Sequence, residues 1–217
     1  MIFKGVLKPG DRLPSESQLA RQFNVGRQTV RESLRILELS GFITIQKGSL
    51  GGSIIQDTIL NTISNSLLDA LQMGRIKPTD LTIARLEIEK AMLNYAIHNA
   101  DESDLKQLQD NIDRAKIKLD ADLQPFKDNI DFHRLLAKAS KNYVFVIVVD
   151  SIFAFIVDFF SQLKPEIEVS ENVIPIHQGI LDAMIRKDAE EAIALLENHI
   201  LETGKRFERI SGQFAKP

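Results

Sequence analysis

The chain has 217 residues, 44% of them hydrophobic, enough for two small cores, and no cysteine, which excludes disulfides, thiolate metal sites and cysteine nucleophiles. Its formal charge of −3 is unevenly spread: residues 1–56 carry eight Lys or Arg against four Asp or Glu, whereas the remainder carries 19 against 26. A basic head on an acidic body argues against nucleic-acid contact over the whole surface and for a body that senses or dimerises.

Residues 9–57 hold the densest set of local signals. Pro9, Gly10 and Pro14 punctuate an entry turn, and Ser15-x-x-Gln18 is a capping box that starts a helix near Ser15 or Glu16. Leu19, Ala20 and Phe23 supply its apolar face. Asn24-Val25-Gly26 breaks the period, which resumes at Val30, Leu34 and Leu37. Two short helices joined by a tight turn form a helix-turn-helix. On the second helix Arg27, Arg31 and Arg35 recur every four residues beside the apolar stripe, so one helix can both pack and read DNA. Gln28 and Thr29 near its start offer an amide and a hydroxyl to base edges and phosphates. Gly41 ends this helix. Residues 43–46 alternate apolar and polar, residues 47–51 turn, and Ser53-Ile54-Ile55 returns, predicting a hairpin wing.

The run LKPGDRLPSESQLARQFNVGRQTVRESLRILELSGFI followed by GGSIIQD resembles the DNA-binding domain of GntR-family transcriptional regulators, and the GGS wing is similar to their FadR subfamily. The resemblance implies DNA contact by Arg27, Thr29 and Arg31, with Gln28 beside them, and by Lys47-Gly48 at a wing tip entering the minor groove. Ser17 stands where many members have a DNA-contacting arginine, and Gly26 replaces a usual Ser or Thr. In such domains a full helix precedes LKPGDRLP, and only Met1 to Val6 stand in its place here. A truncated first helix with incomplete packing onto Leu34 and Leu37 is therefore expected.

Beyond the wing, residues 58–73 place Ile59, Ile63, Leu67 and Leu71 at helical spacing, closed by Gly74 and Pro78. A helix capped by Thr79 or Asp80 runs to about Asn99, and Asp101 opens another to Leu119 with acidic residues suited to its dipole. Pro125 starts a helix ending near Lys141-Asn142. Residues 143–163 are unusually apolar and long enough to raise a membrane span. Asp150 and Asp158 interrupt the run, so the expectation is one helix buried on nearly all sides, partly against a second subunit, with a strand over 144–149 as the alternative. Helices over 171–186 and 188–210 complete the chain.

Arg85-x-x-x-Glu89, DFHRLLAKASKN, the His177 helix and KDAEEAIALLENHI resemble in order the FCD effector-binding domain of the FadR subfamily. The fold class expected is mainly α: a winged helix-turn-helix over 1–57, a connecting helix over 58–76, and an all-α bundle over 77–217, six or seven helices in all with the connector. By that resemblance His133, His177 and His199 fall where many FCD domains bind a divalent metal, zinc first and nickel second, and Asn129 takes the place of a usual aspartate. Asn129 lies one turn before His133 on the same face, whereas Asp128 is rotated away. Three imidazoles and an amide oxygen leave the ion's charge uncompensated, which favours a carboxylate ligand. A small organic acid is thus the expected effector, with Arg85 as a bidentate cationic anchor.

The expected protein is a cytoplasmic homodimer that binds an operator duplex, answers to a small acid and makes no use of a membrane. Two other readings compete. A metal-dependent hydrolase could use three histidines to activate water, but no general base is evident near them. An effector-independent structural DNA-binding protein would have a filled bundle core instead of a pocket at the histidines.

Overall fold

The computed structural model describes residues 7–46, 52–56, 58–163 and 173–214. Within them the order is α1 (Glu16–Phe23), α2 (Arg27–Leu39), β1 (Ile43–Gln46), β2 (Gly52–Ile55), α3 (Thr58–Gln72), α4 (Pro78–Asn99), α5 (Glu102–Asp120), α6 (Phe126–Ala139), α7 (Tyr143–Leu163), α8 (Val173–Arg186) and α9 (Ala189–Phe214). The architecture is mainly α with a single antiparallel hairpin among the described residues. The chain divides into two compact units, residues 1–63 and 64–217, the boundary falling inside α3.

In the first unit Ser15 caps α1 as its spacing requires. Its hydroxyl accepts the Gln18 N–H, and the Gln18 side-chain oxygen accepts the Ser15 N–H at 2.8 Å. Asn24 takes the left-handed conformation, φ 52°, and donates back to Ala20 and Arg21, which ends α1 and turns the chain into α2. Leu19 and Ala20 of α1, Val30 and Leu34 of α2, and Ile43 and Ile55 of the hairpin bury one another, with Leu7, Leu13, Leu37 and Phe42 packed around them. The hairpin register pairs Ile43 with Ile55 and Gln46 with Gly52. Phe23 does not join this core. It is the last residue of α1 and 59% exposed, because the buried members of that helix stop at Ala20. Lys47, Gly48 and residues 1–6 lie outside the described residues.

The second unit is a helical bundle. α4 carries Met92, Leu93, Ala96 and Ile97 into the core, where they meet α5, α6, α8 and α9 through Leu108, Leu136, Leu181 and Leu196. α4 and α9 run close because Gly204 faces Thr82: a Cβ there would fall well inside van der Waals contact of that side chain. Two boundaries, the start of α4 and the end of α6, differ from expectation, while the corner at Lys187 does not. α4 begins at Pro78 with Lys77 as N-cap, and Asp80 accepts the Lys77 N–H at 2.7 Å, so Asp80 supports the start from inside. α6 stops at Ala139, since Lys141 turns left-handed, φ 56°. Lys187, φ 61°, makes the corner between α8 and α9. Residues 144–149 are helical throughout. Within the chain α7 packs principally on α4 and α6, burying Val149, Phe153 and Phe155 and leaving Tyr143 and Val144 exposed. Among the described residues no helix is long and apolar enough to cross a membrane.

Candidate metal centre and nucleic-acid face

α2 presents Arg27, Gln28, Thr29 and Arg31 to solvent, while Val30 between them points into the core. The cationic face and the packing face thus share the helix. Arg31 is not idle: its guanidinium meets Glu16 of α1 through Nε at 3.2 Å and Nη2 at 3.0 Å. Gln28 donates to Glu32 at 3.2 Å. Both contacts are exposed and so exchange readily for phosphate or base contacts.

The histidines of α6, α8 and α9, far apart in sequence, converge. His133, His177 and His199 are all buried, and one nitrogen of each lies within 4.8 Å of the others. Phe132 stacks on His177 with ring centroids 3.9 Å apart and planes 10° from parallel, which fixes that ring. His133 Nε2 stands 3.2 Å from His199 Nε2. Two imidazoles bound tetrahedrally to one zinc at about 2.0–2.1 Å would place their nitrogens about 3.3 Å apart. The spacing of that pair already suits a shared ion.

Glu89, the last residue of the Arg85-x-x-x-Glu89 motif, organises the cluster. Its carboxylate is buried and accepts from His133 Nδ1 at 2.5 Å and from Arg85 Nε at 2.6 Å. A His133 proton held on Nδ1 leaves the lone pair on Nε2, the nitrogen that faces His199. Arg85 Nη2 reaches the same Nε2 at 3.3 Å, and the guanidinium lies over the Phe153 ring, 4.7 Å from its centroid. Burial opposes ionisation of Glu89, but His133 and Arg85 outweigh it and hold its carboxyl well below the ordinary carboxylate value. Burial also pushes His133 down, against the pull of Glu89, and pushes His177 and His199 well down, with the neighbouring cationic groups adding to the effect. The three rings are neutral near pH 7, the form that ligates metal.

Among the described residues, the buried side-chain atoms without a hydrogen-bond partner include Asn111 Nδ2, away from the cluster's own residues, and Asn129 Oδ1 and His177 Nε2. Buried acceptors and donors are satisfied almost everywhere in folded proteins, so two such atoms on residues with metal-ligand spacing fit a bound cation. Asp128 is also buried but turns to Lys118 at 2.5 Å, off the cluster. His98 is likewise apart, its Nδ1 2.8 Å from the Asn94 carbonyl oxygen.

The FCD domain family matches residues 80–202, and the bacterial regulatory protein gntR family matches residues 1–49. The chain belongs to the GntR family and carries an FCD domain. GntR-family membership makes it a DNA-binding transcriptional regulator rather than an enzyme. It is 30% identical over 209 residues to the HTH-type transcriptional repressor NanR of Enterobacter sp. (strain 638), covering 92% of this chain and 78% of that one. It is 36% identical over 143 residues to the HTH-type transcriptional regulator LutR of Bacillus subtilis (strain 168), covering 65% and 64%. Among solved structures, Streptococcus agalactiae GntR superposes with a TM-score of 0.66 at 23% identity over 94% of each chain. E. coli McbR/YncC does so at 0.54 and 20%, over 97% of this chain and 91% of that one, and both share the fold.

Proposed function

We propose that this GntR-family regulator is a repressor of the FadR subfamily that binds operator DNA as a homodimer and senses a small organic acid through a divalent metal. The winged helix-turn-helix would occupy about residues 1–57, the connector 58–76 and the sensing bundle 77–217. Arg27, Gln28, Thr29 and Arg31 would contact the major groove, and Lys47-Gly48 the minor groove. His133, His177, His199 and Asn129 would hold the ion, zinc before nickel. Repression is the role named for the NanR relative.

The observation that carries the metal reading is the convergence of three buried imidazoles, one of which, His177, leaves its Nε2 without a partner among the described residues. The acid follows from charge. Arg85 and Glu89 cancel, the imidazoles and the amide are neutral, and a divalent ion would leave the buried site strongly positive. Arg85 Nη2 stands on the side of His133 Nε2, so ion and guanidinium would repel unless an anion lay between them. A carboxylate does that, one oxygen toward the ion and one toward Arg85. The hydrolase reading gains nothing from Glu89, whose two oxygens are taken by Arg85 and His133.

Metal analysis of the purified full chain tests the site: about one equivalent of zinc or nickel is expected, lost in the His133→Ala, His177→Ala, His199→Ala triple variant. A parent protein that binds neither ion in equilibrium dialysis would refute it.

A further inference from the structure

A pocket of about 380 Å³ opens at His199, within the 300–1,000 Å³ range of small-molecule sites. Val173 and Ile176 of α8 give it an apolar wall, and Thr203, Lys205, Arg206 and Arg209 of α9 give it a cationic one. Glu202 is the single carboxylate among its described lining residues. Three cations gathered on one cavity stand out on a body whose 161 residues after position 56 sum to a net −7.

The spacing explains how they come together. His199, Glu202, Lys205, Arg206 and Arg209 fall within about 120° of the α9 circumference, so the pocket follows one face of the helix away from His199. Arg206 lies two turns, about 10 Å, beyond His199, and helical side chains lean toward the N-terminus, which directs the cationic heads back along the pocket. Exposed Lys and Arg on a helix are ordinarily a solvated face. Here they line the cavity that reaches a buried histidine, opposite an apolar wall suited to a short carbon chain.

We infer that the effector carries two anionic groups, a carboxylate held at the histidine site and a second one held by Lys205 and Arg209 at the outer end of the α8–α9 pocket. This rests on a metal-held carboxylate and adds a selectivity that such binding alone does not give. Monoanionic acids fill the inner position only. Dianions of suitable length fill both and exclude water from the Val173 and Ile176 wall.

Calorimetric titration of the zinc-loaded full chain with butyrate and with succinate, glutarate and adipate tests this. At least one dicarboxylate should bind about tenfold tighter than butyrate. The Lys205→Gln, Arg209→Gln double variant should lose about tenfold more affinity for that dicarboxylate than for butyrate. Both side chains are exposed, so zinc content and helical circular dichroism serve as controls on the fold. Equal affinity for butyrate and every dicarboxylate, or a preference that survives the double variant, overturns the second anionic position while leaving the metal-held carboxylate standing. A zinc-loaded protein that binds none of the four acids overturns both.

Discussion

Replacing Glu89 by Gln probes the centre where charge, tautomer and packing meet. The change keeps the shape but removes the negative charge that Arg85 Nε and His133 Nδ1 approach at 2.6 and 2.5 Å. Arg85 is buried on α4 with no other carboxylate bonded to it among the described residues, so the variant strands a buried cation. Breaking a buried pair from one side costs about 3–5 kcal/mol. The same substitution unpins the His133 tautomer, and lost support of a metal-binding histidine lowers metal affinity about 10–100-fold. Urea denaturation of the metal-free protein, followed on the bundle's transition, reads the first effect, and zinc competition against a chromophoric chelator reads the second. Adding Arg85→Met should restore much of the stability, since both partners are then uncharged. A single variant destabilised by under about 1 kcal/mol, with unaltered zinc affinity, would refute the role assigned to Glu89.

Gly204→Ala should cost about 1–3 kcal/mol by driving a methyl into Thr82, and Thr82→Ala in the same chain should recover most of it, as thermal denaturation would report. His177 and His199 have folded pKa values well below 6.5, so below about 6.5 the unfolded chain binds more protons than the folded one. The metal-free protein should therefore lose stability as pH falls from 7 toward 5, by at most about 1.4 kcal/mol per pH unit for each ring, and denaturation midpoints that are flat across that window would contradict this. Asn129→Asp supplies the missing negative charge and should tighten zinc about tenfold or more by chelator competition, while weakening butyrate. Arg27→Ala should cost about 1–3 kcal/mol in operator binding if it reads a guanine, measured by fluorescence anisotropy at fixed salt.

What could be read from the chain beforehand divides along the range of the interactions involved. The Ser15–Gln18 box, the Asn24 turn, the α2 stripe and the hairpin are set by neighbours within a few residues, and they stand where their spacing puts them. Phe23 shows the limit of that reasoning, for periodicity says which face a residue shares but not how far a partner extends along it. The histidines carried a signal only through family resemblance, and the bundle brings them together across 66 residues of chain between His133 and His199. Glu89 was visible only as the end of the Arg85-x-x-x-Glu89 motif, and that spacing equally suits an exposed helix ion pair. Its placement among Leu86, Met92 and Leu93 was the available sign that this pair would be buried. The stacking of Phe132 on His177 acquires meaning only once α6 meets α8, and the cationic run of Lys205, Arg206 and Arg209 only once α8 and α9 lie side by side.

The most direct test of the account is the affinity of the zinc-loaded full chain for an operator duplex selected from random DNA, measured with and without a saturating bound acid. An effector shifts DNA binding only through a difference in its own affinity for the two states, so a coupled reading head and sensor predict a change of about 5–150-fold that disappears in the triple-histidine variant. Equal operator affinity in the presence and absence of an acid that calorimetry shows to be bound would contradict it.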